Sequence, residues 1–358
     1  MMSAYKSVVF DREYPDPVRA SIAAGQAIAR ASGTPTAARV AHSLYLCCET
    51  LARSQWPEVA WRFSGLTADG SPLEFTFSSV DNHMRFTVDA APPERENHER
   101  IAAACDLAAC LGHERLVADD LFRWTQMQQN RKLSWGARLG VRESGGQEKV
   151  KYYLEVPLEA QASIRTIINP PLSDSIVVMI GCDPQGGASE YYFRQQKLSK
   201  VQLDCLVSGL GDDRVQGGIQ DAIEHLCGMP IASALEWTNF GYSLVQQEQS
   251  AISQLTCFVR CRAIGGADRV RQRMLEWMPD SVRRHSLYYR LVAHLPKQEV
   301  PDHGVISLSC TQSGGPEMRV GLSSAALSRL LLRASMDERG RARVDRTRHQ
   351  DFKYQTRG

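Results

Sequence analysis

The chain has 358 residues, 43% of them hydrophobic and 23% charged, with 42 Lys and Arg against 40 Asp and Glu and a formal net charge of +2. That balance gives no overall attraction for nucleic acid or a membrane surface, so cationic residues matter by placement rather than number. No run approaches the ~20 apolar residues of a membrane-spanning helix, and the opening MMSAYKSVVFDREYPDP has no apolar core for a signal peptide. The expected setting is the cytoplasm. Ten cysteines without a CxxC pair read as free buried thiols in a reducing compartment.

Taken in chain order, the same unit recurs: two alternating strands joined by a turn, with helical stretches between the units. The first hairpin is LEFTFSS/MRFTVD (73–79, 84–89); Phe75, Phe77, Met84, Phe86 and Val88 oppose Glu74, Thr76, Ser78, Arg85 and Thr87. NHERIAAACDLAACLG (97–112) follows as a helix, with Pro92 and Pro93 before it and Gly112 at its end. The second hairpin is ARLGVR/KVKYYLEV (137–142, 149–156), in which Arg138, Gly140, Arg142, Lys149, Lys151 and Tyr153 share the polar face. The third is IVVMIG/SEYYFR (176–181, 189–194), presenting Glu190, Tyr192 and Arg194. SKVQLDCLVSGLG (199–211) is a helix with Ser199 as its N-cap. The fourth hairpin, FGYSLV/LTCFVRC (240–245, 255–261), presents Thr256, Phe258 and Arg260 opposite Cys257 and Cys261. GADRVRQRMLEWM (266–278) is a helix stopped by Pro279, and VISLSCT/EMRVGLS (305–311, 318–324) closes the series with Arg319, Gly321 and Ser323. The tail from Met336 is charged, nearly free of aliphatic residues, and reads as disordered.

Each strand has one apolar face that amphipathic helices can cover. An open sheet of ten strands tends to curl or split, whereas closure removes its edges. The expected architecture is therefore α+β: a closed barrel ringed by helices, its basic faces turned into a wet lumen wide enough to hold ligand. Without a Pro/Gly-rich linker between about 57 and 324, one domain over 1–335 is expected, followed by a tail at 336–358.

Arg, Lys and Tyr converging in a protected lumen suit a multiply charged anion, since Arg forks bind phosphate oxygens bidentately and Lys adds a point charge. The sequence has no GxxxxGK[ST] loop, and its GG pairs at 145–146, 186–187, 265–266 and 314–315 read as turns. There is no DDxxD run either, which points away from aspartates holding magnesium on a diphosphate. A diphosphate ionised by protein charge alone fits such a cage. Glu74, on the polar face beside the strand of Arg85, is the candidate proton acceptor, unless it serves as a structural partner for an arginine.

PLEFTFSSVDNHMRFTVDAAPP (72–93) resembles the first hairpin of the dimethylallyl tryptophan synthase type of aromatic prenyltransferases. There a Pro-x-Glu strand carries the catalytic Glu and an Arg strand follows; here Glu74 and Arg85 are eleven residues apart (85 − 74). Lys151-Tyr152-Tyr153 is similar to the family's Lys-x-Tyr, and VISLSCTQSGGPEMRVGLS to its closing hairpin. The resemblance covers about 57–324 and implies the αββα prenyltransferase barrel, ten antiparallel strands in five repeats around a polar lumen. It implies that Glu74 holds the acceptor and takes its proton, and that Arg85, Lys151, Arg194, Arg260 and Arg319 bind the prenyl diphosphate. Tyr153 and Tyr192 would shield an allyl cation, and Arg138 would lie beside the acceptor, as a proton shuttle or a carboxylate partner. The implied partners are a dimethylallyl or geranyl diphosphate and an aromatic acceptor such as tryptophan, with a phenol or peptide as alternatives. The implied cofactor list is empty, without a metal, and the implied assembly is a monomer or homodimer. Three departures stand out. The third repeat lacks the family's Lys, Phe258 and Arg260 replace Gln-x-Tyr, and Gly321 stands near a missing Tyr, which suggests a roomier prenyl pocket. An anion-binding barrel without catalysis is the rival from another class.

Overall fold

The computed structural model describes residues 16–333 except 169, 185–187, 211–212, 248–251 and 312–313. Ten antiparallel strands pair in the order β1-β10-β9-β8-β7-β6-β5-β4-β3-β2 and close into a barrel. They are β1 (Leu73–Ser78), β2 (Arg85–Asp89), β3 (Ala137–Ser144), β4 (Gln147–Glu155), β5 (Ile176–Cys182), β6 (Ala188–Arg194), β7 (Gly241–Gln247), β8 (Ile252–Arg260), β9 (Val305–Thr311) and β10 (Gly314–Ser323). Every hairpin expected from the alternation is present, displaced at its ends by a few residues. The longest extensions are at the starts of β10 and β8, by four (318 − 314) and three (255 − 252) residues. Closure comes from β1 lying antiparallel to β10, with Glu74 opposite Ser323 and Ser78 opposite Arg319.

Helices α1 (Asp16–Ser32), α2 (Pro35–Ala52) and α3 (Pro57–Ala60) precede the first hairpin, and α4 (Arg100–Cys110) and α5 (Ala118–Gln128) the second. The remainder are α6 (Gln161–Ile167), α7 (Lys200–Ser208), α8 (Asp213–Cys227), α9 (Ile231–Trp237), α10 (Gly266–Trp277), α11 (Asp280–Arg283) and α12 (Leu287–Val292). Helix α2 packs on β3 and β4, α4 on the same hairpin, and α8 on β9 and β10. Local chemistry sets their ends. Thr34 caps α2 by accepting from the Ala37 N–H, with Pro35 in its first turn, and Ser199 and Gln202 form a reciprocal capping box on α7. In the β3–β4 turn Gly145 and Gly146 both have positive φ, 58° and 73°, a conformation that disfavours any Cβ.

The outward faces make the core. Phe75, Phe86, Val88, Leu139, Val141, Tyr152 and Leu154 are buried under the helices, as the two-residue period requires. Glu143, one residue beyond the expected end of β3, also faces outward. It is buried because Thr34 Oγ1 donates to it at 2.6 Å, tying the start of α2 to the barrel.

Several smaller readings change. Eight of the ten thiols are buried, but Cys110 and Cys205 are exposed on helices, so those two do not follow the expectation of burial. Cys261 leaves the strand for a 3₁₀ turn (Cys261–Ile264), although it remains buried. Gly314 and Gly315 lie within β10 beside a register shift rather than in a turn. The Gly186–Gly187 pair and the tail 336–358 fall outside the described residues.

Candidate active site

The pairing of β1 to β5 stacks the lumen residues in rungs. Arg85, Arg142 and Lys149 form one rung across β2, β3 and β4. The next holds Glu74, Thr87, Gly140 and Lys151, and a third holds Asp89, Arg138, Tyr153 and Gly181. Glu74 and Thr76 are consecutive lumen positions on β1, so about 7 Å of strand separates them.

Toward the Arg85 end, Arg85, Arg142, Lys151 and Arg319 line one cavity of about 460 Å³, counting the part open to solvent, together with Thr76 and Tyr153. Arg85 donates twice to Asp81, at 2.7 and 2.6 Å, and holds that carboxyl below its usual range against the opposing effect of burial. Arg319 pairs with Glu317, which also accepts from Ser78 at 2.6 Å. Lys151 pairs with Glu190. Burial would raise the Glu190 carboxyl, but Lys151, Ser243 and Tyr192 outweigh it and hold the group below the carboxylate range. The Ser243 hydroxyl donates to it at 2.5 Å.

An aromatic wall adjoins these charges. The Tyr153 and Tyr192 rings lie 6.1 Å apart, edge to face at 71°, and Tyr192 and Phe258 lie 6.1 Å apart, tilted by 48°. Lys151 Nζ is 5.8 Å from the Tyr153 centroid. Glycines on neighbouring strands let these groups lie flat. A Cβ at Gly140 would sit 2.7 Å from the Tyr153 ring, and one at Gly241 2.6 Å from Phe258 Cζ.

Glu74, in the rung of Lys151, has its carboxylate against the bare backbone of Gly321 and Gly304. A Cβ at Gly321 would fall 2.5 Å from Glu74 Cδ, so this glycine makes room for the carboxylate. The roomier prenyl pocket expected from Gly321 is not formed there. Burial pushes the Glu74 carboxyl from 4.5 to about 7, with Arg138 pulling it down and Asp69 pushing it up. Arg138 donates from Nε to Asp89 at 3.1 Å, lies 4.5 Å over the Trp135 ring, and leaves Nη2 buried without a hydrogen-bond partner.

The structure therefore brings Arg85, Lys151, Tyr153, Tyr192 and Arg319 together, with Glu74 in the rung of Lys151 and Arg138 in that of Tyr153. Arg194 and Arg260 do not join this group. Each is the last residue of its strand, exposed, at the opposite end of the barrel from Arg85 and Arg142. Alternation assigned their face correctly, but strand direction and length decide depth, which a repeat pattern does not carry. Residues given no site role from the sequence also join the group: Arg142, Glu190, Phe258 and the counter-charges Asp81 and Glu317. The signal for Arg142 was its place two residues beyond Gly140 on the basic face of β3. Among the described residues, no three or more His, Cys, Asp or Glu side chains are grouped to hold a metal ion.

No protein-family model and no curated protein matches the sequence. Solved structures do match. The 5-dimethylallyl tryptophan synthase from Streptomyces coelicolor, in complex with DMASPP and Trp, superposes with a TM-score of 0.68 at 15% identity, covering 88% of this chain and 97% of that one. The prenyltransferase PriB in its apo form gives 0.65 at 14% identity, covering 86% and 96%. The NotF prenyltransferase gives 0.55 at 15% identity, covering 90% and 97%. At these identities the likeness establishes the fold, which is the αββα prenyltransferase barrel expected from the sequence.

Proposed function

We propose that the protein is a prenyltransferase moving a dimethylallyl or geranyl group from an allylic diphosphate to an electron-rich aromatic acceptor, an indole such as tryptophan first among them. The observation that carries this reading is what the lumen brings together: four cations lining one cavity, the adjoining Tyr153, Tyr192 and Phe258 rings, and, in the rung of Lys151, the Glu74 carboxylate, which has no hydrogen-bond partner among the described residues. The 5-dimethylallyl tryptophan synthase and PriB, which share the fold, are named for such chemistry, and the former was solved with DMASPP and Trp.

In this mechanism the diphosphate lies among Arg85, Arg142, Lys151 and Arg319, whose charge favours the departing anion. The allylic C–O bond breaks, leaving inorganic diphosphate and a five- or ten-carbon cation. Tyr153, Tyr192 and Phe258 present π faces and edges to that cation and keep water from it. The acceptor ring attacks, a C–C bond forms, and the ring proton passes to Glu74. A carboxyl near pH 7 is suited to that step, since it is ionised in a large fraction of molecules yet basic enough to accept a proton. Arg138 orients Glu74 electrostatically and keeps an Nη2 donor for a polar group of the acceptor.

The test is mass spectrometry of indole, phenol and peptide acceptors incubated separately with dimethylallyl and geranyl diphosphate. A mass gain of one prenyl unit on an indole is expected. Transfer confined to phenols or peptides would move the acceptor assignment, and no transfer to any of them would favour a binding protein.

A further inference from the structure

Three of the four cations in the cavity already have a carboxylate of their own: Arg85 has Asp81, Lys151 has Glu190 and Arg319 has Glu317. Arg142 does not. Among the described residues it forms no ion pair, and its Nε is buried without a hydrogen-bond partner. A buried, unpaired guanidinium nitrogen is costly unless something arrives to satisfy it. The register makes the cost greater, because Arg142 stands directly opposite Arg85 on one side and Lys149 on the other. Like charges in register across a sheet repel, and Arg142 also opposes the positive charge of Lys151.

We propose that Arg142 is the anchoring cation for the anion in this cavity, and that Lys151 engages the same anion only against the competing hold of Glu190. The proposal rests on reading the cavity as a diphosphate site. Glu190 is 93% removed from solvent, paired with Lys151 and held by Ser243 at 2.5 Å, so it cannot swing away without breaking a satisfied buried network. An incoming diphosphate thus meets Lys151 already neutralised and a fixed negative charge beside it. Arg142, free and with a planar fork, offers bidentate contact without displacing a partner. Glu190 then weakens the hold on diphosphate, which eases departure of the product anion.

The test is titration of inorganic pyrophosphate into the full chain by calorimetry, with thermal melts of each variant. Arg142→Gln should weaken pyrophosphate binding on the order of ten- to a hundredfold, the loss of a charge-assisted contact. Without pyrophosphate it should melt no lower than the parent, because the substitution relieves a row of like charges. Arg142→Lys should recover most of the affinity. Glu190→Gln should tighten binding by about fivefold, the size of one removed repulsion at contact distance in a wet site. Parent-like affinity in Arg142→Gln overturns the proposal, as does a lower melting temperature in the absence of pyrophosphate. A parent that binds pyrophosphate but transfers no prenyl group leaves this inference standing and removes the transferase reading. A parent that does not bind pyrophosphate removes both.

Discussion

Replacing Glu74 by Gln should disable turnover and stabilise the protein at the same time. The carboxyl rises from 4.5 to about 7 because burial disfavours its charged form. At about 1.4 kcal/mol per pH unit, holding it ionised above pH 7 costs the fold up to about 3.5 kcal/mol, a ceiling because the side chain is partly open to the lumen. The sign follows from the direction of the shift. An acid with a raised folded pKa contributes stability below its unfolded value, and that stability is lost as pH rises through the folded value. Glu74→Gln should therefore unfold like the parent near pH 4.5 and become progressively more stable than it between 4.5 and 7, with a plateau above. Denaturant melts at pH 5, 6, 7 and 8 measure this difference. Turnover should fall two to four orders of magnitude with loss of the base, while a non-ionisable thiolodiphosphate binds as before. The parent's own rate should climb along an acid limb centred near 7. A pH-independent stability difference, or turnover within about threefold of the parent, would refute the reasoning.

Three further outcomes are expected. Lys151→Ala should weaken thiolodiphosphate binding by about 1.5 kcal/mol, the low end for a charge-assisted contact, and also destabilise the fold, since it leaves Glu190 buried and unpaired; adding Glu190→Gln should restore the stability, and an unchanged dissociation constant in the single variant would remove Lys151 from the site. Gly321→Ala should lower turnover at least tenfold with little change in diphosphate affinity, because its Cβ displaces the Glu74 carboxylate; parent-like kinetics would mean that the carboxylate's seat is immaterial. Turnover should persist in EDTA with at most modest stimulation by magnesium, and complete loss restored by magnesium would contradict ionisation by protein cations alone.

The sequence by itself determined the faces. A two-residue period is enforced by the peptide backbone, so placing Phe75, Phe86, Leu139 and Tyr152 outward also placed Glu74, Arg85, Arg138 and Lys151 inward. Five such hairpins with no edge to spare made closure the economical solution, and Ser199 marked a helix start locally. Depth and pairing were decided only in three dimensions. Arg194 and Arg260 share a face with the cavity cations but end their strands at the far mouth, and antiparallel direction, not alternation, sets that. Glu190 meets Lys151 across β4, β5 and β6, 39 residues along the chain, and Gly321 seats Glu74 only because β10 returns to pair with β1. Which cation is neutralised and which is left free depends on those long-range neighbours, and no spacing within a single strand encodes them.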